Sequence, residues 1–112
     1  MCIRDRGERE SFLLHQLNSY FENGSCPKLI AYEPIWAIGI GQAADQKNIK
    51  EALEIISKFL KYKKLEKIPL LYGGSVSAEN VEEIMSLSYL SGCLVGNSSL
   101  DGKEFARIAK KI

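Results

Sequence analysis

The chain has 112 residues, of which 46% are hydrophobic, and this length and composition predict one small globular domain. Its 15 Lys and Arg residues nearly balance 14 Asp and Glu residues, so the net charge of +1 excludes a whole-chain field that would attract nucleic acid or an anionic membrane. The sequence has no apolar run near the roughly 18 residues of a membrane span, and no apolar secretory core at its start. We therefore expect a cytoplasmic location, with any bound anion held by local groups.

The cysteines, Cys2, Cys26 and Cys93, are odd in number and do not have the spacing of metal ligands. No histidine lies near any of them in the chain. This pattern argues against a disulfide framework and against a zinc site. We interpret these residues as reduced intracellular thiols and expect no metal.

The opening residues, MCIRDRGERE, are charged and aperiodic. We predict that residues 1–7 are a non-native leader and that residues 8–112 form the domain. Between Glu8 and Phe21 apolar side chains recur at helical intervals, and the turn-forming residues ENGSCP follow. The sequence therefore predicts a first helix that ends near Phe21.

Three strand-and-helix units are predicted after this helix. The runs KLIAYE, IPLLYGGS and GCLVGNSS are short and apolar without in-out alternation, which is typical of parallel strands buried on both faces. Asp45 and Ser77 are predicted to cap the helices that follow the first two runs. The apolar faces expected for the three helices are Ile49, Leu53, Ile56 and Leu60, then Val81, Ile84 and Met85, then Phe105, Ile108 and Ala109.

The alternation of strands and helices indicates an α/β fold with parallel strands and right-handed helical crossovers. Three such strands leave two outer edges with unpaired backbone groups, which must be covered. Two alternatives remain: a small open sheet, or the last part of a (β/α)8 barrel, a fold of about 250 residues.

Two of the strand runs end in glycine turns, YGGSV and LVGNSS. Glycine lets a backbone approach a ligand closely, and clustered main-chain N–H groups bind phosphate without a fixed charge. In (β/α)8 barrels a phosphate commonly binds at the loops after strands seven and eight, which fits Gly73, Gly74 and Ser75 together with Gly96 and Asn97. The alternative is that these glycines only turn the chain out of a strand.

Glu33 ends the first strand run. In a (β/α)8 barrel, a side chain at the carboxyl end of a strand points into the active-site mouth. A partly desolvated glutamate there can act as a general base, although a strand-end ion pair is the simpler alternative. The apolar segment behind it favours the catalytic interpretation, because it suits a lid that closes as a unit and excludes water. The predicted lid comprises Pro34, Ile35, Trp36, Ala37, Ile38, Gly39, Ile40, Gly41, Gln42, Ala43 and Ala44.

Three strings, AYEPIWAIGIG, LLYGGSV and LVGNSSL, in this order and at this separation, resemble the triosephosphate isomerase family. The first string is highly specific, and the resemblance covers roughly residue 8 to the C-terminus. It implies that the chain is the C-terminal portion of a (β/α)8 barrel, strands six to eight with their helices. That family is a well-known example of a glutamate base beneath a closing loop.

The resemblance implies that Glu33 is the base that interconverts dihydroxyacetone phosphate and glyceraldehyde 3-phosphate through an enediolate. It implies that the N–H groups of Gly39, Ser75, Gly96 and Asn97 hold the phosphate. It also implies no metal or organic cofactor, and a homodimer for the full-length family. The family's dimer-forming third loop has no counterpart in these residues.

The chain departs from the family pattern in the lid, where Ile40 replaces the usual Thr, and Gln42 and Ala43 replace Lys-Thr or Lys-Ser. Asn97 replaces a common glycine, a substitution that costs least for asparagine if φ is positive. Nothing in the chain matches the family's electrophilic lysine and histidine, and we interpret His15 as an ordinary surface or packing residue. Losing such groups costs about 10²–10³ in rate per donor, so we expect these residues to be inactive alone.

Two other functions fit part of the pattern. Another phosphate-binding (β/α)8 enzyme, such as one that acts on phosphoribosyl intermediates, explains the glycine turns and leaves the Glu33 and lid segment unexplained. A non-catalytic phosphate-binding module, in which a half-barrel pairs with another chain, would cover the open strand edges.

Overall fold

The structure is a computed structural model that describes residues 6–24, 26–34 and 46–112. Helices and strands alternate along these residues as the sequence predicts. The elements are α1 (Arg6–Phe21), β1 (Ile30–Tyr32), α2 (Gln46–Tyr62), β2 (Leu70–Tyr72), α3 (Val81–Met85), β3 (Gly92–Cys93), a 3₁₀ helix (Asn97–Leu100) and α4 (Gly102–Lys110). The predicted leader, residues 1–7, falls largely outside the described residues, as does the predicted cap Asp45.

The strands form one parallel sheet in the order β1-β2-β3. Ile30 pairs with Leu70, and Leu71 pairs with Gly92, so the strands start and end nearly level. Among the described residues β1 and β3 each have one hydrogen-bonded neighbour, which leaves their outer edges unpaired there. The prediction of parallel strands joined by helices is therefore confirmed.

The core lies between α2 and the sheet. The predicted apolar face of α2 is buried, with exposed fractions of 1% for Ile49 and 0% for Leu53. On β2, Leu70 and Tyr72 are buried in the same cluster, while Leu71 between them is half-buried. Helix α1 adds a smaller contact, in which Leu13 is buried with residues of α2. These contacts join α1, α2 and the sheet.

Two helix predictions require correction. Helix α3 starts at Val81 with Asn80 at its N-cap position, not after Ser77 as predicted. The Ser77 carbonyl accepts hydrogen bonds from the N–H groups of Asn80 and Val81, at 3.3 and 3.0 Å, so Ser77 closes a turn instead of capping a helix. In α4, Ile108 is buried as predicted, whereas Phe105 is 45% exposed and Ala109 is also exposed, because no described element covers that side.

The start of α4 is held by Asp101, whose carboxylate accepts hydrogen bonds from the N–H groups of Lys103 and Glu104. This contact satisfies N–H groups that have no partner within the helix. The described thiols, Cys26 and Cys93, are free, and burial raises the pKa of Cys93. No helix among the described residues is long and apolar enough to cross a membrane.

Replacement of Leu53 by alanine tests the position of the core. Leu53 is fully buried, so its truncation should lower the free energy of unfolding by about 2–5 kcal/mol. The matched control is Leu100→Ala, because Leu100 is 85% exposed and its truncation should change stability by about 0.5 kcal/mol or less. Urea denaturation followed by circular dichroism measures both, and equal losses for the two variants would contradict this core.

Candidate active site at the carboxyl edge of the sheet

The carboxyl ends of the three parallel strands meet at one edge of the sheet. Hydrogen bonds beyond the strands align this edge: Gly73 N–H donates to the Tyr32 carbonyl at 2.8 Å, and Leu94 N–H donates to the Tyr72 carbonyl at 2.9 Å. Neighbouring strands lie about 4.8 Å apart, so the loops after β1 and β3 start about 10 Å apart. This separation suits a small ligand held across the middle strand.

The Glu33 side chain lies directly against Gly73, the first residue after the middle strand. A Cβ atom at residue 73 would lie 2.9 Å from Glu33 Cγ and 3.0 Å from Glu33 Oε1. Glycine is therefore required at residue 73 for Glu33 to take this position. The predicted site residue Glu33 and the predicted glycine turn are thus brought together at the sheet edge.

An ion pair was the simpler alternative role for Glu33. Arg107 forms salt bridges with Glu79 and with Glu104. Glu33 takes part in neither, and it is exposed at the sheet edge. The carboxylate is therefore open to solvent at this edge and not desolvated by the described residues, and its role as a base stays a prediction.

Pro34 is the one residue of the predicted lid that the structure describes, and it is buried. Residues 35–44, including the predicted phosphate contact Gly39 and the substitutions Ile40, Gln42 and Ala43, lie outside the described residues. A buried proline with a restricted φ stiffens the exit from β1. The residue that follows Glu33 therefore has a restricted φ and a buried side chain.

The turn after β2 is shaped by its second glycine and by one asparagine. A Cβ atom at Gly74 would collide with the Tyr72 hydroxyl, so this residue too must be glycine. The Asn80 side chain donates to the Ser75 carbonyl at 2.7 Å and accepts from Ser77 N–H at 2.8 Å. Ser75 is therefore held from within its own loop.

The prediction did not include Asn80. Its local signal was an amide side chain immediately before an apolar helical run, which is a common position for an N-cap residue. The structure shows that its side chain is turned back to the loop and makes no cap hydrogen bond to the helix. Asn80 thus orders the predicted phosphate turn and leaves the start of α3 to backbone contacts.

The turn after β3 presents backbone to open space. A Cβ atom at Gly96 would meet no other atom within 4 Å. The Gly96 carbonyl accepts from Ser99 N–H at 2.9 Å, and within the described residues the N–H groups of Gly96 and Asn97 donate to no protein acceptor. In the described ranges, the non-glycine residue with a positive φ is Lys64. Asn97 therefore has a negative φ, and it forms its turn without left-handed strain.

The edge therefore combines one carboxylate with main-chain groups on the two neighbouring loops. Among the described residues, no group of three or more His, Cys, Asp or Glu side chains could hold a metal ion. His15 is exposed on α1, which packs against α2, and it takes no part in this edge. The arrangement can place a general base beside a bound anion.

Comparison with known proteins agrees with this geometry. The family model described as triosephosphate isomerase matches residues 2–112. A triosephosphate isomerase of Prochlorococcus marinus strain MIT 9312 is 42% identical over 107 residues, which are 95% of this chain and 43% of the relative. One of Gloeobacter violaceus is also 42% identical, with the same coverage.

The chain thus spans less than half the length of the curated relatives that it matches. The matched part includes the three parallel strands and their helices, so the prediction of a partial (β/α)8 barrel is confirmed. The rival assignment to another family of phosphate-binding barrels is excluded by the same match. This chain belongs to the triosephosphate isomerase family.

Proposed function

We propose that these residues supply the general base and most of the phosphate grip of an enzyme that interconverts dihydroxyacetone phosphate and glyceraldehyde 3-phosphate. The observation that carries the proposal is the contact between the Glu33 side chain and Gly73, at the edge where the turns at Ser75 and Gly96 also start. Membership of the family and the activity for which the relatives are named support the same function.

In the proposed reaction, Glu33 removes a proton from the carbon beside the substrate carbonyl and returns it to the neighbouring carbon. The intermediate is an enediolate, and the reaction moves a proton without a net change in oxidation state. A positioned general base contributes about 10²–10⁴ in rate. No metal or organic cofactor is needed for this step.

The phosphate would be held by the N–H groups of Gly39, Ser75, Gly96 and Asn97. The absence of other acceptors for Gly96 and Asn97 in the described part of the chain supports their role. Because the phosphate does not react, its binding energy can support the chemical step at the other end of the substrate. Closure of the lid, residues 34–44, would exclude water and strengthen the electrostatics of the site.

The whole protein is proposed to be a cytoplasmic homodimer that uses a small phosphorylated triose and binds neither nucleic acid nor a membrane. The near-neutral net charge of +1 supports the last two points. Catalysis also needs the family's electrophilic lysine and histidine, which polarise the carbonyl. These groups have no match within the 112 residues, so we propose that the residues act only together with the rest of the barrel.

A chimera tests the role of Glu33. Residues 8–112 would replace the corresponding part of the Prochlorococcus marinus relative, and the chimera should show isomerase turnover in a coupled assay. Glu33→Gln in the chimera should lower kcat by about 10²–10⁴ because it removes the base and keeps the side-chain shape. Glu66→Gln, at an exposed loop residue, is the matched control and should leave kcat unchanged.

The 112 residues alone serve as a second control and should give no turnover. Turnover by the isolated chain at a rate near that of the relative would refute the requirement for the missing groups. Full activity of the Glu33→Gln chimera would refute the assignment of the base.

Gly73→Ala tests the contact between the base and the glycine turn. The added methyl group would lie 2.9 Å from Glu33 Cγ, so the carboxylate must move away from its present position. In the chimera we expect kcat to fall about tenfold to a hundredfold, since small misplacement of a reacting group is costly. Gly102→Ala is the control, because a Cβ atom there meets no atom within 4 Å, and equal kcat values for the two variants would contradict the contact.

A further inference from the structure

Helix α4 and its C-cap residue form hydrogen bonds to the loop between β2 and α3 at one buried residue, Ala78. The Ala78 N–H donates to Glu104 Oε1 at 3.0 Å, and the Ala78 carbonyl accepts from Lys111 Nζ at 2.6 Å. Ala78 is 1% exposed, so both of its backbone groups depend on these side chains instead of water. We call this set of two hydrogen bonds the Ala78 clamp.

In the Ala78 clamp each backbone group meets a side chain of complementary charge. Glu104 lies in the first turn of α4 and Lys111 is the C-cap residue at its other end. The carboxylate meets the N–H donor and the ammonium meets the carbonyl acceptor, so both hydrogen bonds are charge-assisted. The Glu104 side chain is 20% exposed, and a partly buried hydrogen bond of this kind is stronger than one in water.

The exposed ion pairs of α4 have a smaller role. Arg107 pairs with Glu104 at 2.9 Å and with Glu79 at 3.4 Å, and the side chains of Arg107 and Glu79 are 57% and 69% exposed. Exposed pairs of this kind contribute little to stability. Arg107 therefore orients the second oxygen of Glu104, while the first oxygen holds the loop.

The same helix is joined directly to the other phosphate turn. The 3₁₀ helix Asn97–Leu100 follows Gly96, and Asp101 then caps α4. Within the β2–α3 loop, Asn80 connects the clamped part to Ser75 through its two hydrogen bonds. Helix α4 thus connects the two turns that the proposed function assigns to the phosphate.

We propose that Glu104 is a positioning residue for phosphate binding: by holding Ala78 it sets the position of the Ser75 N–H relative to Gly96 and Asn97. This inference rests on the proposed function for the identity of the ligand. The clamp itself rests only on contacts within the structure. Glu104 does not touch the ligand and acts through the loop.

The test uses the full chain labelled with ¹⁵N and inorganic phosphate as the probe. Glu104→Ala removes the acceptor, so hydrogen exchange at the Ala78 amide should accelerate about tenfold or more, and the Ser75 amide signal should shift. The dissociation constant for phosphate should rise about tenfold. Glu104→Gln keeps an oxygen acceptor and should restore exchange and affinity to within about threefold of the unmodified chain.

Two further variants complete the experiment. Glu82→Ala removes an exposed carboxylate from α3 and should change none of these readouts. Lys111→Met should accelerate exchange around Ala78, whereas Lys110→Met, at the adjacent exposed residue, should not. These variants distinguish loss of the clamp from a general loss of charge on α4.

Unchanged Ala78 exchange and an unshifted Ser75 signal in a folded Glu104→Ala chain would overturn the proposal. Failure of Glu104→Gln to restore either readout would also overturn it, because the effect would then come from charge and not from the hydrogen bond. If neither the chain nor its chimera with the Prochlorococcus marinus relative binds phosphate, the proposed phosphate role of these turns is contradicted, and the exchange and shift data still decide whether Glu104 positions Ser75.

Discussion

The site depends on one constraint, the level alignment of the carboxyl ends of three parallel strands. The hydrogen bonds from Gly73 N–H to the Tyr32 carbonyl and from Leu94 N–H to the Tyr72 carbonyl extend the sheet past its strands. They join the first residue after β2 to the end of β1, and the first residue after β3 to the end of β2. A slip of one residue would reverse the side-chain directions and turn Glu33 away from the edge. The register is therefore the physical basis of any chemistry here.

Around this edge each glycine has a different structural role. Gly73 leaves space for the Glu33 carboxylate, Gly74 leaves space for the Tyr72 hydroxyl, and Gly96 faces open space where a ligand can approach. The loops are then held by polar side chains, Asn80 from within and Glu104 from α4. The proposed roles, proton abstraction by the carboxylate and phosphate binding by the amides, both need this fixed geometry, because small displacements are costly in catalysis.

The sequence patterns predicted the features that depend on residues close together in the chain. The α2 face was predicted because apolar residues recur with the helical period, and the loop glycines were predicted because they end buried strands. The predicted start of α3 was wrong by several residues because the Asn80 side chain accepts from the Ser77 N–H and holds these residues in a turn. Glu104 was not found, since its contact with Ala78 spans 26 residues and leaves no local signal. Residues 35–44 lie outside the described ranges, so the lid remains a prediction.

The proposed chemistry depends on the contact of the Glu33 side chain with Gly73 at the carboxyl edge of the sheet. A nuclear Overhauser measurement on the labelled chain tests it most directly, because one α-hydrogen of Gly73 points toward the Glu33 Cγ group. We expect a strong cross-peak between the Glu33 γ-hydrogens and a Gly73 α-hydrogen. Absence of this cross-peak, together with contacts from Glu33 to residues of α2, would place the carboxylate on the helical side and contradict its position at the sheet edge.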